Sequence, residues 1–130
     1  MSETTPARGV VIGHGAMARG LVDAVRRIAG GAADALTAVS NDGKGPVQLR
    51  DELDSIAGDD PVIVFVDLQA GSCGAAALSC CRERAKRRVV CGVNLAMLLD
   101  FVFHRETPLE ELAGRVIEKG RDAITQSPPG

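Results

Sequence analysis

His14 stands between two glycines, in the run Val10-Val11-Ile12-Gly13-His14-Gly15, and is one of only two histidines in the chain. A neutral imidazole is a competent nucleophile near neutral pH. Which ring nitrogen attacks depends on what holds the other. A carboxylate that accepts from one ring N–H fixes the tautomer and steadies the imidazolium that forms. Asp67, which ends the run Val62-Ile63-Val64-Phe65-Val66-Asp67, is the matching carboxylate. Gly71 and Ser72 follow where a helix should begin, and helix N-termini offer free N–H groups to an anion. Gly15 adds room and a backbone N–H beside the imidazole. A nucleophilic histidine, an orienting aspartate and an anion cradle suit phosphoryl transfer, where a protein mainly supplies positioning and electrostatics. Taken singly, each residue has a plainer reading: a histidine incidental to a strand end, an aspartate in a loop, a serine as helix N-cap. Their convergence makes the case.

Four short apolar runs can bring these residues together. They cover 7–13, 35–39, 61–66 and 88–93, and are rich in valine and isoleucine. Continuous runs of this kind suit strands of a parallel sheet covered on both faces. Helical patterns lie between them. Met17, Leu21, Val25 and Ile28 form one stripe, and Leu49, Leu53 and Ile56 a second, after Pro46 near a helix start. Residues 75–87 are alanine-rich, then basic. Leu95, Leu98, Leu99 and Val102 form another stripe. Thr107-Pro108-Leu109-Glu110 reads as a capping box opening a last helix through Leu112, Val116 and Ile117. The order β-α-β-α-β-α-β-α-α predicts an α/β fold with a mainly parallel sheet. Right-handed crossovers put every strand's carboxyl end on one edge, where such sheets bind ligands. His14, Asp67, Ser72 and Asn94 all follow strand ends.

Composition narrows the function further. The chain has 130 residues, 45% hydrophobic and 25% charged, with a net charge of −2. This fits one globular domain over 1–130, with an ordered core over 8–125 and a frayed tail over 126–130. Near-neutral charge gives no reason to expect nucleic acid as a partner. No apolar run reaches the ~20 residues of a membrane helix, and no signal peptide is evident, so a cytoplasmic location is expected. With three Phe and no Trp or Tyr, the chain has little with which to stack a sugar or a base. Cys73, Cys80, Cys81 and Cys91 form no C-x-x-C pair, and the adjacent Cys80 and Cys81 read as small buried hydrophobes. Neither a metal nor a cofactor is expected.

Three features point elsewhere. Gly13-x-Gly15-x-x-Ala18 matches a dinucleotide fingerprint, but Asp34 and Asp42 only straddle the place where the ribose-binding acid belongs. Arg82, Arg84, Lys86, Arg87 and Arg88 read as a solvated helix end, with partner docking as the alternative. His104 lies far from any expected strand end and reads as structural.

The three ordered motifs Val10-Val11-Ile12-Gly13-His14-Gly15, Val62-Ile63-Val64-Phe65-Val66-Asp67-Leu68 and Gly92-Val93-Asn94-Leu95-Ala96-Met97-Leu98 resemble the mannose-family enzyme IIA domain of the bacterial phosphoenolpyruvate:sugar phosphotransferase system. The resemblance runs from about Arg8 to Ile124. It implies a flavodoxin-like three-layer sandwich. It also implies a phosphotransferase that accepts a phosphoryl group on His14 from the histidine-containing phosphocarrier protein and passes it to a IIB partner. Asp67 matches the orienting aspartate and Ser72 a serine beside the site, and the membrane is met only indirectly, through the transporter complex. The family's homodimer exchanges an antiparallel C-terminal strand, and Gly120-Arg121-Asp122-Ala123-Ile124-Thr125 is the candidate segment. The family's Asp-Leu-Phe-Gly-Gly-Ser-Pro-Phe-Asn is here Asp67-Leu68-Gln69-Ala70-Gly71-Ser72-Cys73-Gly74-Ala75, and Ala70 would restrict a backbone that needs positive φ. Ala96 stands where the family has proline. The altered rim leaves one alternative, a regulatory sensor of phosphorylation state; a second is the phosphoryl donor subunit of dihydroxyacetone kinase, whose first domain this chain also resembles. The latter usually has serine where this chain has Gly15.

Overall fold

The computed structural model describes residues 5–128. Four strands form one sheet: β1 (Arg8–Gly13), β2 (Leu36–Ser40), β3 (Val62–Val66) and β4 (Arg87–Cys91). All three pairings are parallel, and the spatial order is β2-β1-β3-β4. Five α-helices connect and follow them: α1 (Met17–Ala29), α2 (Pro46–Ala57), α3 (Ser72–Cys81), α4 (Leu95–Phe103) and α5 (Leu109–Asp122). A short 3₁₀ helix over Gly30–Ala35 leads into β2.

Strand side chains alternate between the two faces, so each apolar run feeds two cores. Val11, Ile63, Phe65 and Val90 face α1, α4 and α5, meeting Val25, Leu98, Phe101, Leu112 and Val116. Val10, Ile12, Val62, Val64 and Val66 face α2 and α3, meeting Leu49, Leu53, Ala76 and Ala77. Phe65 and Phe101 pack edge to face at 5.2 Å. The result is the flavodoxin-like sandwich, helices on both faces of a parallel sheet. Cys80 and Cys81 are buried in the second core.

Several sequence expectations need correction. In α1, Met17 and Ile28 are exposed, and the inward stripe is Ala18, Leu21, Val22, Val25 and Ala29. Leu21 and Val25 of the expected stripe face inward, and Ala18 takes the place expected for Met17. Helix α3 begins at Ser72 and ends at Cys81, ahead of the basic cluster. Arg87 in that cluster is no solvated helix end. It is 7% exposed and ion-pairs with Asp54. It also donates to the Cys80 carbonyl at 2.7 Å and the Gly58 carbonyl at 2.9 Å. One guanidinium thereby ties the carboxyl ends of α2 and α3, where cations are favoured, to the start of β4. The capping box at Thr107 does not form: Pro108 is the N-cap of α5, with no side-chain cap. Residues 120–125 form no strand. Gly120 to Asp122 complete α5, and the chain continues without regular structure.

Candidate functional site

Connections from β1 run to β2 on one side of the sheet and from β2 across to β3 on the other. The strand order therefore reverses at the β1/β3 pair, the switch point where open parallel sheets form ligand crevices. Ile12 lies opposite Val66, so the residues that follow these strands emerge side by side. They are Gly13-His14 and Asp67.

The pair is held by several bonds. His14 N–H donates to Asp67 Oδ2 at 2.9 Å, and His14 Nδ1 lies 2.7 Å from the same oxygen. Leu68 N–H donates to Oδ1 at 2.8 Å, so both carboxylate oxygens are placed. Burial pushes the Asp67 carboxyl up, but the His14 side chain and the His14 and Leu68 amides outweigh it, and the net shift is down. Asp67 is therefore an anion at neutral pH and only accepts. It fixes the proton on Nδ1 and leaves a lone pair on Nε2. The His14 side chain is 45% exposed and that of Asp67 only 8%. The imidazole is open while the carboxylate that holds it is shielded.

Gly71 lies against the ring. A Cβ built on it would come 3.8 Å from Nε2, and its φ of +99° with ψ of −175° is a conformation for glycine alone. The next residue, Ser72, opens α3, whose first bond runs from Ala75 N–H to Gly71 O at 3.1 Å. The Ser72, Cys73 and Gly74 amides precede that bond, so they remain outside the helical ladder. Ser72 is not the N-cap, because Gly71 occupies that position without a side-chain bond. Gly74 permits a close approach: a Cβ there would fall on the Gln69 carbonyl oxygen. The loop over residues 68–71 is thereby laid against the start of α3. Ala70 is not strained, since Glu83 is the only non-glycine with positive φ among the described residues. The left-handed turn falls on Gly71 instead.

Not every expected residue plays its expected part. The Gly15 N–H is spent on Asn41 Oδ1 at 3.2 Å, so it is not a free donor for a phosphoryl oxygen. Asn41 follows β2 at the same edge and was not visible as a site residue in the sequence. Its only signal is its place after a strand end. Cys73 was likewise missed. It is fully buried, with Sγ 3.8 Å from His14 Nδ1. Burial, then the charge on Asp67, pushes its thiol up. Ligand atoms of His14, Asp67 and Cys73 lie within 4.8 Å of one another, the one such cluster among the described residues. A metal there would have to break the Nδ1–Oδ2 bond and deprotonate a thiol that burial keeps neutral. The donor set fits a histidine–aspartate pair better. The dinucleotide reading gains nothing: Asp34 sits in the 3₁₀ helix paired with Arg26, and β2 ends on Ser40. Asn94 does not enter the site. It caps α4 through Met97 N–H and donates to the Gly120 carbonyl at 3.0 Å.

The fold and this edge define a flavodoxin-like α/β protein carrying a histidine–aspartate pair at its switch point. The model of the EIIA-man family, described as the PTS system fructose IIA component, matches residues 9–117, and the chain belongs to that family. The mannose/sorbose-specific IIA subunit of the phosphotransferase system from Enterococcus faecalis is 26% identical, with a TM-score of 0.85 over 97% of this chain and 98% of that one. An EIIA component from Streptococcus agalactiae shares the fold at 21% identity and a TM-score of 0.83, covering 92% of this chain and 96% of that one. So does the IIA protein of a fucose utilization operon from Streptococcus pneumoniae, at 19% identity and a TM-score of 0.78 over 96% of each chain. Among curated protein sequences none matches. Membership of the family gives the chain a phosphocarrier role in the phosphotransferase system. Among the described residues no helix is long and apolar enough to cross a membrane.

Proposed function

We propose that the chain carries a phosphoryl group on His14, taken from the histidine-containing phosphocarrier protein and passed to a IIB partner. The observation that carries this reading is the 2.7 Å contact between His14 Nδ1 and Asp67, with the ring nearly half exposed. The lone pair on Nε2 attacks phosphorus in line. The N–P bond to the donor imidazole breaks, and that imidazole leaves with the electron pair. The His14 ring becomes a cation with one proton on Nδ1 and phosphorus on Nε2, and ionised Asp67 offsets the charge through Nδ1–H. The amides that open α3, with the Ser72 hydroxyl, then serve as donors to the phosphoryl oxygens. Onward transfer is the same step in reverse.

The test uses phosphoenolpyruvate, enzyme I and the phosphocarrier protein. Wild type should gain an acid-labile label, and His14→Ala none. Equal labelling of the two would overturn the assignment. Chase with a IIB protein separates transport from regulation: a label that moves supports the carrier, and a label that stays supports a sensor. The altered loop over residues 69–75 is what keeps the sensor reading in view. The cytoplasm is where such partners would meet this chain. A homodimer is part of the same reading, since among the described residues β4 pairs only with β3 and offers a free edge; light scattering checks it.

A further inference from the structure

We propose that Asn41 is a positioning residue for His14, holding the turn that carries the nucleophile; this rests on the carrier reading above. Strand β2 runs beside β1 with Ser40 opposite Gly13, so the residue after β2 meets the turn after β1. Asn41 N–H donates to the Gly13 carbonyl at 3.3 Å, and Asn41 Oδ1 accepts from Gly15 N–H at 3.2 Å. One residue thus holds the carbonyl before the histidine and the amide after it. Asp67 holds the amide of His14 itself from the β3 side. The turn is clamped from both neighbouring strands, and the imidazole keeps only its own torsions, which the Nδ1 bond then fixes.

Asn41 is itself held in place. Lys44 N–H donates to its carbonyl at 3.2 Å, and Asp42 N–H donates to Ser40 Oγ at 3.1 Å. The loop is folded so that the half-buried amide faces the turn. Because the amides of residues 14 and 15 are both spent, the phosphoryl group must draw on the start of α3. Asn41 therefore decides where Nε2 sits relative to that helix. A displacement of about 1 Å at a reacting atom costs ~10²-fold in rate.

The full-length chain is compared as wild type, Asn41→Ala and Asn41→Asp. Asn41→Ala should lower the maximal rate of His14 phosphorylation by about 10–100-fold and leave the half-saturating phosphocarrier concentration within about twofold of wild type. Nitrogen-15 spectra of the unphosphorylated proteins supply the second readout. Wild type and Asn41→Asp, which keeps the acceptor oxygen, should show the Nδ1–H tautomer and slow exchange at the Gly15 amide. Asn41→Ala should show mixed tautomers and fast exchange. A maximal rate within about twofold of wild type overturns the proposal. So does a slowed Asn41→Ala with an unchanged tautomer and Gly15 amide, because Asn41 would then act on the donor and not on His14. Phosphoramidate, which phosphorylates imidazole without a protein partner, provides a separate arm. A wild type labelled by phosphoramidate but not by the phosphocarrier fails the carrier reading alone, and the phosphoramidate rates then judge Asn41.

Discussion

The chain has two histidines, each beside an aspartate, and only one of them leaves a ring nitrogen unpaired among the described residues. His14 Nδ1 meets Asp67 at 2.7 Å, and its Nε2 has no protein partner among the described residues. His104 Nδ1 donates to the Asp100 carbonyl at 2.8 Å, while its Nε2 accepts from Arg115 Nη2 at 3.1 Å. Arg115 also grips both carboxylate oxygens of Asp100, at 2.9 and 3.1 Å. Both nitrogens of His104 are therefore spent, Nδ1 on closing the end of α4 and Nε2 on joining it to α5. The lesson is that a neighbouring carboxylate does not mark a nucleophile. An unspent second nitrogen does.

The largest expected break in this comparison comes from exchanging the two roles by mutation. His14→Ala should reduce acid-labile labelling to background, whereas His104→Ala should be labelled within about twofold of wild type and show its defect in urea denaturation instead. Next in size is Asp67→Asn. An amide can present N–H to Nδ1 and select the wrong tautomer, so phosphorylation should slow by about 10²–10⁴-fold, read by quench-flow labelling, with the fold intact by circular dichroism. A smaller effect is expected at the other pair. Arg115→Met strands the buried Asp100 carboxylate and should cost about 1–3 kcal/mol of stability, leaving the labelling rate unchanged. The smallest is a pH effect. Asp67 titrates below its ordinary value of about 3.9 in the folded chain, so its contribution to stability is fully present above that pH. It is lost as pH falls from there through the folded value. The stability of Asp67→Asn should be flatter across that acidic window, measured by urea titration at stepped pH.

Much of this contrast was legible in the sequence. The four strands fall within a residue or two of the valine-rich runs, because strands buried on both faces leave an unbroken apolar signature. Strand ends then located His14 and Asp67, since parallel topology collects all carboxyl ends on one edge. Helix faces were harder. Ala18 and Val25 are buried in α1 while Met17 is exposed and Ile28 is 63% exposed, so a stripe drawn through the large side chains alone was set slightly off the inward face. Alanine-rich α3 has no stripe to betray its start, and its cap is the backbone of Gly71. Arg87 looked solvated because charge pattern carries no record of the three groups that gather around its guanidinium. Asn41 was missed for a related reason. Its bonds go to main-chain atoms, and these have no letter in a sequence.

The absence of a side chain at Gly74 reaches further than local geometry. Gln69 and its neighbours follow their path because one peptide carbonyl rests on bare backbone, whatever their own side chains are. Leu68, Gln69 and Ala70 all point to solvent. The outward lettering of this segment can therefore be rewritten freely while the glycine pressed to the imidazole stays put. The shape of this loop and the chemistry of its exposed face are thus set by different residues, the first by a bare backbone and the second by side chains that nothing beneath them constrains.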